Sequence, residues 1–121
     1  MPVRRLIVTG ALAAMATLAV PAAMPAAQEA PVYFIAGNYD ARGMNPDGSV
    51  YRGEVRISQQ DSAVEVHWNV AGQLYSGRGQ IEGRVVTVDW GSSSPVVYVL
   101  MGRELHGTWE NGTALERLTP R

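Results

Sequence analysis

The chain contains no cysteine and no lysine. Without cysteine there is no disulfide framework, thiol nucleophile, cysteine metal site or lipid-modified N-terminal cysteine. Without lysine there is no Ser-x-x-Lys motif, no serine lies in Gly-x-Ser-x-Gly, and the two histidines lack an evident nucleophile. We therefore expect a binding protein without a cofactor rather than an enzyme. A carboxylate pair for glycoside hydrolysis is the enzymatic alternative that composition leaves open.

Helical periodicity is missing after residue 31. No window there keeps apolar residues at the spacing of a helix face. Instead, short β-branched and aromatic runs alternate with Gly, Asn, Asp, Ser and Pro clusters about every 8 to 12 residues, which is typical of an all-β domain.

The N-terminal segment has the order of a secretory signal. Arg4 and Arg5 precede an apolar run, Leu6 to Val20, and a small-residue and proline segment follows. A retained membrane anchor is the alternative, but the run is shorter than the roughly 20 residues that span a bilayer. We predict a signal peptide and small-residue segment over 1–27, one domain over 28–121, no membrane span after processing, and export to the periplasm or beyond the cell.

Removal of the signal changes the charge balance. Arg4 and Arg5 are two of ten arginines, so eight remain against 11 acidic residues, and the net charge moves from −1 to about −3. The signs are interspersed along the chain. This balance argues against nucleic acid or an anionic membrane surface as a partner.

Eight strands are predicted, over 35–42, 50–59, 63–70, 74–81, 85–90, 96–101, 105–110 and 113–118. Asn45-Pro46-Asp47-Gly48-Ser49 and Asn111-Gly112 are the clearest turn signals between them. Short connections favour pairing in sequence order. We therefore predict a small eight-stranded antiparallel up-and-down barrel; a two-sheet sandwich is the alternative, which usually needs longer crossovers.

A set of short motifs also runs through the chain: Gly37-Asn38-Tyr39, Asn45-Pro46-Asp47-Gly48-Ser49-x-Tyr51-x-Gly53-x-Val55, Trp68, Tyr75-x-Gly77-x-Gly79, Val88-Asp89-Trp90-Gly91, Leu105-x-Gly107-x-Trp109 and Glu116-x-Leu118. With these motifs the chain resembles small exported bacterial proteins labelled fibronectin-binding protein. More distantly, its architecture is similar to the avidin and lipocalin (calycin-like) barrels. The first resemblance implies adhesion to a protein partner; the second implies a fold alone.

Strand alternation directs a set of aromatic side chains into the barrel: Tyr39, Tyr51, Trp68, Tyr75, Trp90 and Trp109. They either form a stacking cage for a small planar or apolar ligand or simply fill the core.

Glu116 is in phase with Ala114 and Leu118, and with that phase it would point into the barrel as a further ligand-binding candidate; Leu115 favours the opposite phase. A buried carboxylate needs an arginine or several donors to offset its desolvation. Arg78 and Arg103 are the candidate partners. The alternative is a hydrated position at the rim.

The two histidines, His67 and His106, fall on outward faces. A metal site would require them close together with a carboxylate such as Glu65, Glu104 or Glu110. Two separate surface histidines are commoner, so we expect no metal.

The strand Val96 to Met101 is apolar on both faces, which with Val85 leaves an apolar outer wall. This wall predicts a homo-oligomer or partner surface, unless a loop or Ala30 to Phe34 covers it.

Three binding functions follow. The leading one engages an extracellular or periplasmic protein through the outer wall or through the loops 45–49 and 91–95. The second binds a small hydrophobic ligand in the lumen, and the third inhibits a periplasmic protease or lysozyme. An open interior around Trp68, Trp90 and Trp109 would favour the second.

Overall fold

The computed structural model describes residues 31–121, and the predicted signal peptide over 1–27 lies outside them. Eight strands form one sheet: β1 (Gly37–Met44), β2 (Val50–Gln60), β3 (Ala63–Val70), β4 (Gln73–Glu82), β5 (Val85–Asp89), β6 (Val96–Met101), β7 (Glu104–Trp109) and β8 (Ala114–Pro120). Each strand pairs antiparallel with the next in sequence, and β8 pairs with β1, so the sheet closes. The predicted up-and-down barrel is confirmed. Among residues 31–121, no helix has the length and apolar character needed to cross a membrane.

The predicted turns set the strand ends. Between β1 and β2, the Asp47 carboxylate accepts hydrogen bonds from Ser49 N and Oγ at 2.9 and 2.6 Å, and these bonds lower the pKa of Asp47. Between β7 and β8, Glu110, Asn111 and Gly112 all have positive φ, at 49°, 56° and 87°. Such tight turns keep consecutive strands adjacent, as a meander requires.

The inward face of each strand builds the core. Its fully buried large side chains are Tyr98, Leu105, Leu118, Val66, Val86 and Val88. On β4 the inward positions Gly77 and Gly79 carry no side chain, because a Cβ there would meet the backbone carbonyl oxygens of Asp89 and Thr87 on β5. The two glycines therefore allow the backbone of β5 to approach β4 closely.

One end of the barrel, the closed end, carries the connections 61–62, 83–84 and 102–103 and the incoming residues 31–36. Ile35 is buried there, and its amide donates to Gln59 Oε1 at 2.8 Å. The Gln59 amide in turn donates to the carbonyl oxygens of Tyr33 and Asp61, both at 2.8 Å. The side chain of Ile35 thus plugs this end of the barrel.

The other end, the open end, carries the connections 45–49, 71–72, 90–95 and 110–113. No strand or terminal segment of the described chain crosses it, so side chains near these connections border solvent. The candidate functional site lies here.

The outer wall keeps an apolar patch on β5 and β6. Val85 and Val99 face each other across the strand pair and are 43% and 42% exposed, and Met101 is 55% exposed. Residues 31–34 leave this patch uncovered. The other face of β6 points inward and includes Tyr98, which places a hydroxyl group in the core.

We expect Ile35→Ala to lower the free energy of unfolding by about 2 to 4 kcal/mol, because it leaves a cavity at the closed end. Phe34→Ala is the matched control: Phe34 is 77% exposed, so its removal should change stability by less than about 0.5 kcal/mol. Urea unfolding measures both. Equal losses in the two variants would contradict the plug.

Candidate functional site

A cavity of about 160 Å³ opens at the open end of the barrel. Its lining residues come from the inward faces of six strands and the connections beside them: Asn45, Tyr51, Trp68, Val70, Ala71, Tyr75, Trp90, Val96, Trp109 and Glu116. An apolar cavity of about 150 Å³ is enough to hold a benzene ring. The space therefore suits a ligand of about one ring and a short substituent.

Four of the lining rings form a continuous edge-to-face series along the cavity. The ring centroids of Tyr51 and Trp109 are 6.3 Å apart, those of Trp109 and Trp90 5.9 Å, and those of Trp90 and Tyr75 6.0 Å. Trp90 is further held by its N–H, which donates to the carbonyl oxygen of Ser94 at 3.1 Å. Tyr75 ends the series and is 39% exposed. The series is thus ordered by mutual packing, as such pairs prefer.

Glu116 is the charged side chain of the lining and is only 6% exposed. Tyr51 donates its hydroxyl proton to Oε1 at 2.7 Å. Tyr98 and Trp68 donate to Oε2 at 2.5 and 3.1 Å. Three neutral donors thus offset the loss of water around the carboxylate.

Two glycines explain how both tyrosines reach Glu116. Gly43 of β1 and Gly107 of β7 are the residues paired with Glu116 on its two neighbouring strands. One strand further out, Tyr51 pairs with Gly43 and Tyr98 pairs with Gly107. Each tyrosine ring lies across its glycine, in the space that a Cβ would occupy. The order Tyr51-Gly43-Glu116-Gly107-Tyr98 therefore runs across five strands with the carboxylate at its centre.

Two tryptophans set the direction of these hydrogen bonds. Trp109 donates its N–H to the hydroxyl oxygen of Tyr51 at 3.1 Å, and Trp68 donates to that of Tyr98 at 3.0 Å. An indole N–H can only donate. Each hydroxyl therefore accepts from a tryptophan and directs its own proton to Glu116.

The same surroundings keep both phenols neutral. Burial, followed by the charge of Glu116 and the hydrogen bond to it, raises the pKa of Tyr51 well above its ordinary value. The same causes raise the pKa of Tyr98, which is fully buried. Both hydroxyls thus remain donors across the physiological pH range.

The two arginines expected beside Glu116 lie elsewhere, so that expectation was wrong. Arg78 is on the outer face, where its Nε lies 3.5 Å from Glu65. Arg103 is exposed in the turn between β6 and β7. Hydroxyl and indole donors replace them at Glu116. Of the two alternatives for Glu116, the inward position is the one that the structure shows, because its side chain is buried.

Tyr39 is set apart from the other predicted lumen residues. It is buried toward the closed end, and its hydroxyl donates to the carbonyl oxygen of Ile35 at 2.6 Å. Burial raises its pKa, and the nearby charge of Arg103 partly opposes the shift. The structure brings the other six together around the cavity. Sequence reasoning missed Tyr98, although the alternation of Val96, Tyr98 and Leu100 carried the signal.

Both histidines pair with a glutamate two residues away on their own strand. His106 Nε2 lies 2.9 Å from Glu104 Oε1, and His67 Nε2 lies 4.0 Å from Glu65 Oε1. Within the described part of the chain, no group of three or more histidine or carboxylate side chains is arranged to hold a metal ion.

Comparison with known proteins bears on the fold. No protein-family model and no curated protein matches the chain. A solved structure of a redesigned β-barrel is similar, with a TM-score of 0.51 and 16% sequence identity over 72% of this chain and 91% of that one. At this identity the likeness supports the barrel architecture alone. The class defined by fold and site is thus a closed β-barrel with an aromatic cavity at one end.

Gly43→Ala should displace the Tyr51 ring and destabilise the protein by about 1 to 3 kcal/mol, because the new methyl group would occupy the space of that ring. The matched background is Tyr51→Ala, in which the same glycine substitution should cost under about 0.5 kcal/mol. A double-mutant cycle in urea measures the coupling. Additive effects would show that Gly43 does not accommodate the ring.

Alkaline stability gives a further test. Unfolded tyrosine ionises near pH 10, about its ordinary value, whereas folded Tyr51 and Tyr98 keep their protons to higher pH. Their contribution to stability is therefore complete below about pH 10 and is lost above it, at about 1.4 kcal/mol per pH unit for each tyrosine. The chain has no lysine or cysteine to titrate in this range.

The measurement is the free energy of urea unfolding from pH 8 to pH 12, roughly spanning the tyrosine range. The variant Tyr51→Phe/Tyr98→Phe should show a shallower decline than the natural chain. The same slope in both proteins would argue against the raised pKa values.

Proposed function

We propose that the protein is an exported binding protein that takes a small aromatic or apolar ligand into the open end of its barrel. The observation that carries this proposal is the cavity bounded by Trp68, Trp90 and Trp109 above the buried Glu116. Apolar walls with a few placed polar groups are typical of small-molecule sites. Binding rather than catalysis is proposed because the cavity lining holds one carboxylate, Glu116, and no second carboxylate or histidine to act with it in acid–base chemistry.

The order of the aromatic series supports entry from the open end. Tyr75 is partly exposed to solvent, whereas Glu116 is buried inside the barrel. A ligand entering past Tyr75 would exchange water for the surfaces of Trp90 and Trp109. Because these rings already hold one another, little side-chain entropy would be lost on binding.

Tryptophan fluorescence tests the proposal. The domain is titrated with small aromatic compounds, and a saturable change in emission is expected. Tyr75→Ala should weaken binding about fivefold to tenfold, because it removes one wall of the cavity. Leu74→Ala is the matched control: the adjacent side chain is 79% exposed and lies outside the barrel, so binding should be unchanged. Equal effects of the two substitutions would refute a site in the cavity.

A protein partner on the outer wall is the second candidate function. The observation in its favour is the exposed patch of Val85, Val99 and Met101 on adjacent strands. Such a patch suits a partner protein or a second copy of the chain. The resemblance to fibronectin-binding-labelled proteins suggests fibronectin as the first partner to test.

Binding to immobilised fibronectin tests for a partner protein, and analytical ultracentrifugation tests for association with a second copy of the chain. Val99→Glu should abolish either interaction, while Ser58→Glu, an exposed position on β2 away from the patch, serves as control. Monomeric protein with no fibronectin binding would leave the cavity as the functional site. Tight inhibition of a protease or lysozyme would instead support the inhibitor alternative.

A further inference from the structure

Building on the proposed function, we infer that the ligand is a small organic cation, an aromatic ammonium whose charged nitrogen lies at Glu116. The inference rests on three properties of the cavity: a buried carboxylate without a basic partner, an unused acceptor position on that carboxylate, and tryptophan rings beside it.

The charge of Glu116 is uncompensated within the described chain. All three groups that donate to it, Tyr51, Tyr98 and Trp68, are neutral. In residues 31–121 the ion pairs all lie on the outer surface, and no arginine or histidine pairs with Glu116. A buried charge of one sign favours a ligand that brings the opposite charge.

The carboxylate also has room for one more donor. Its two oxygens offer about four lone-pair positions. Oε2 accepts from Tyr98 and Trp68, whereas Oε1 accepts from Tyr51 alone. One acceptor position on Oε1 therefore remains for an N–H of the ligand, and Glu116 is part of the cavity lining.

The neighbouring rings suit the rest of a cation. Trp109 and Trp90 line the same cavity and lie edge-to-face, with centroids 5.9 Å apart. Tryptophan is the preferred aromatic partner of cations, and the attraction grows when water is excluded. These two tryptophan rings would contact the aromatic ring of the ligand and the carbon atoms next to its charged nitrogen.

Other charged ligands fit less well. An anion would meet the like charge of Glu116 and no basic side chain of the lining. A calcium ion prefers six to eight oxygen ligands and a zinc ion four histidine, cysteine or carboxylate ligands, whereas the lining supplies one carboxylate. An organic cation is the class for which both the carboxylate and the tryptophans provide contacts.

Three compounds of similar shape but different charge test the inference on the natural protein. The probes are 2-phenylethylammonium, 2-phenylethanol and 3-phenylpropionate, titrated at neutral pH by calorimetry and tryptophan fluorescence. We expect the cation to bind at least tenfold more tightly than the alcohol, and the carboxylate probe to bind least. Because this series needs no substitution, it does not depend on whether a variant folds.

Glu116→Gln then assigns the preference to one residue. It keeps the shape of the side chain but removes its charge, so the cation and the alcohol should bind about equally. Glu110→Gln is the matched control, since it removes the same charge from an exposed position at the same end of the barrel. It should leave the preference intact.

The outcomes separate the two proposals. If the alcohol binds as tightly as the cation, the cation inference is wrong while a ligand site in the cavity stands. If Glu110→Gln and Glu116→Gln reduce cation binding equally, the preference is a surface effect and the inference is wrong. If neither these probes nor neutral aromatic compounds bind, the proposed function fails as well.

Discussion

The open end of this barrel depends on the hydrogen bonds of the Glu116 carboxylate, which join β8 to β2, β3 and β6. A carboxylate in the interior is costly unless its lost water is replaced. Tyr51 and Tyr98 replace it from two sides and Trp68 from across the lumen. This requirement accounts for Gly43 and Gly107, since a side chain at either position would block a tyrosine.

The same constraint makes the two ends of the barrel different. Toward the closed end the lumen is filled with aliphatic side chains, and Ile35 plugs it. Toward the open end, Tyr51 and Tyr98 lie along the barrel wall over their glycines instead of across the lumen. Space therefore remains between Trp90, Trp109 and Glu116, and the aromatic residues divide between core packing and cavity lining.

Much of the cavity could be foreseen from the period of two in the strands. Alternation placed Trp68, Trp90 and Trp109 inside because successive side chains of a strand point to opposite faces. The same rule places Tyr98 inside the barrel, but its hydroxyl group was overlooked because the rest of its strand is apolar. The proposed arginine partners of Glu116 were wrong because Arg78 lies between the inward Gly77 and Gly79 and therefore points outward, and Arg103 lies in a turn.

By itself, the sequence determined the all-β class, the eight strands and their order, because turn residues and alternation are local properties of the chain. The inward phase of Glu116 was decided by the tertiary structure, since Leu115 favoured the opposite phase of the same strand. Only the tertiary structure decided which residues meet across the barrel. Register brings Gly43 and Gly107 to either side of Glu116, and closure of β8 on β1 brings Tyr51 within reach. Tyr51 and Glu116 are 65 positions apart in the sequence, and no local pattern encodes such a contact.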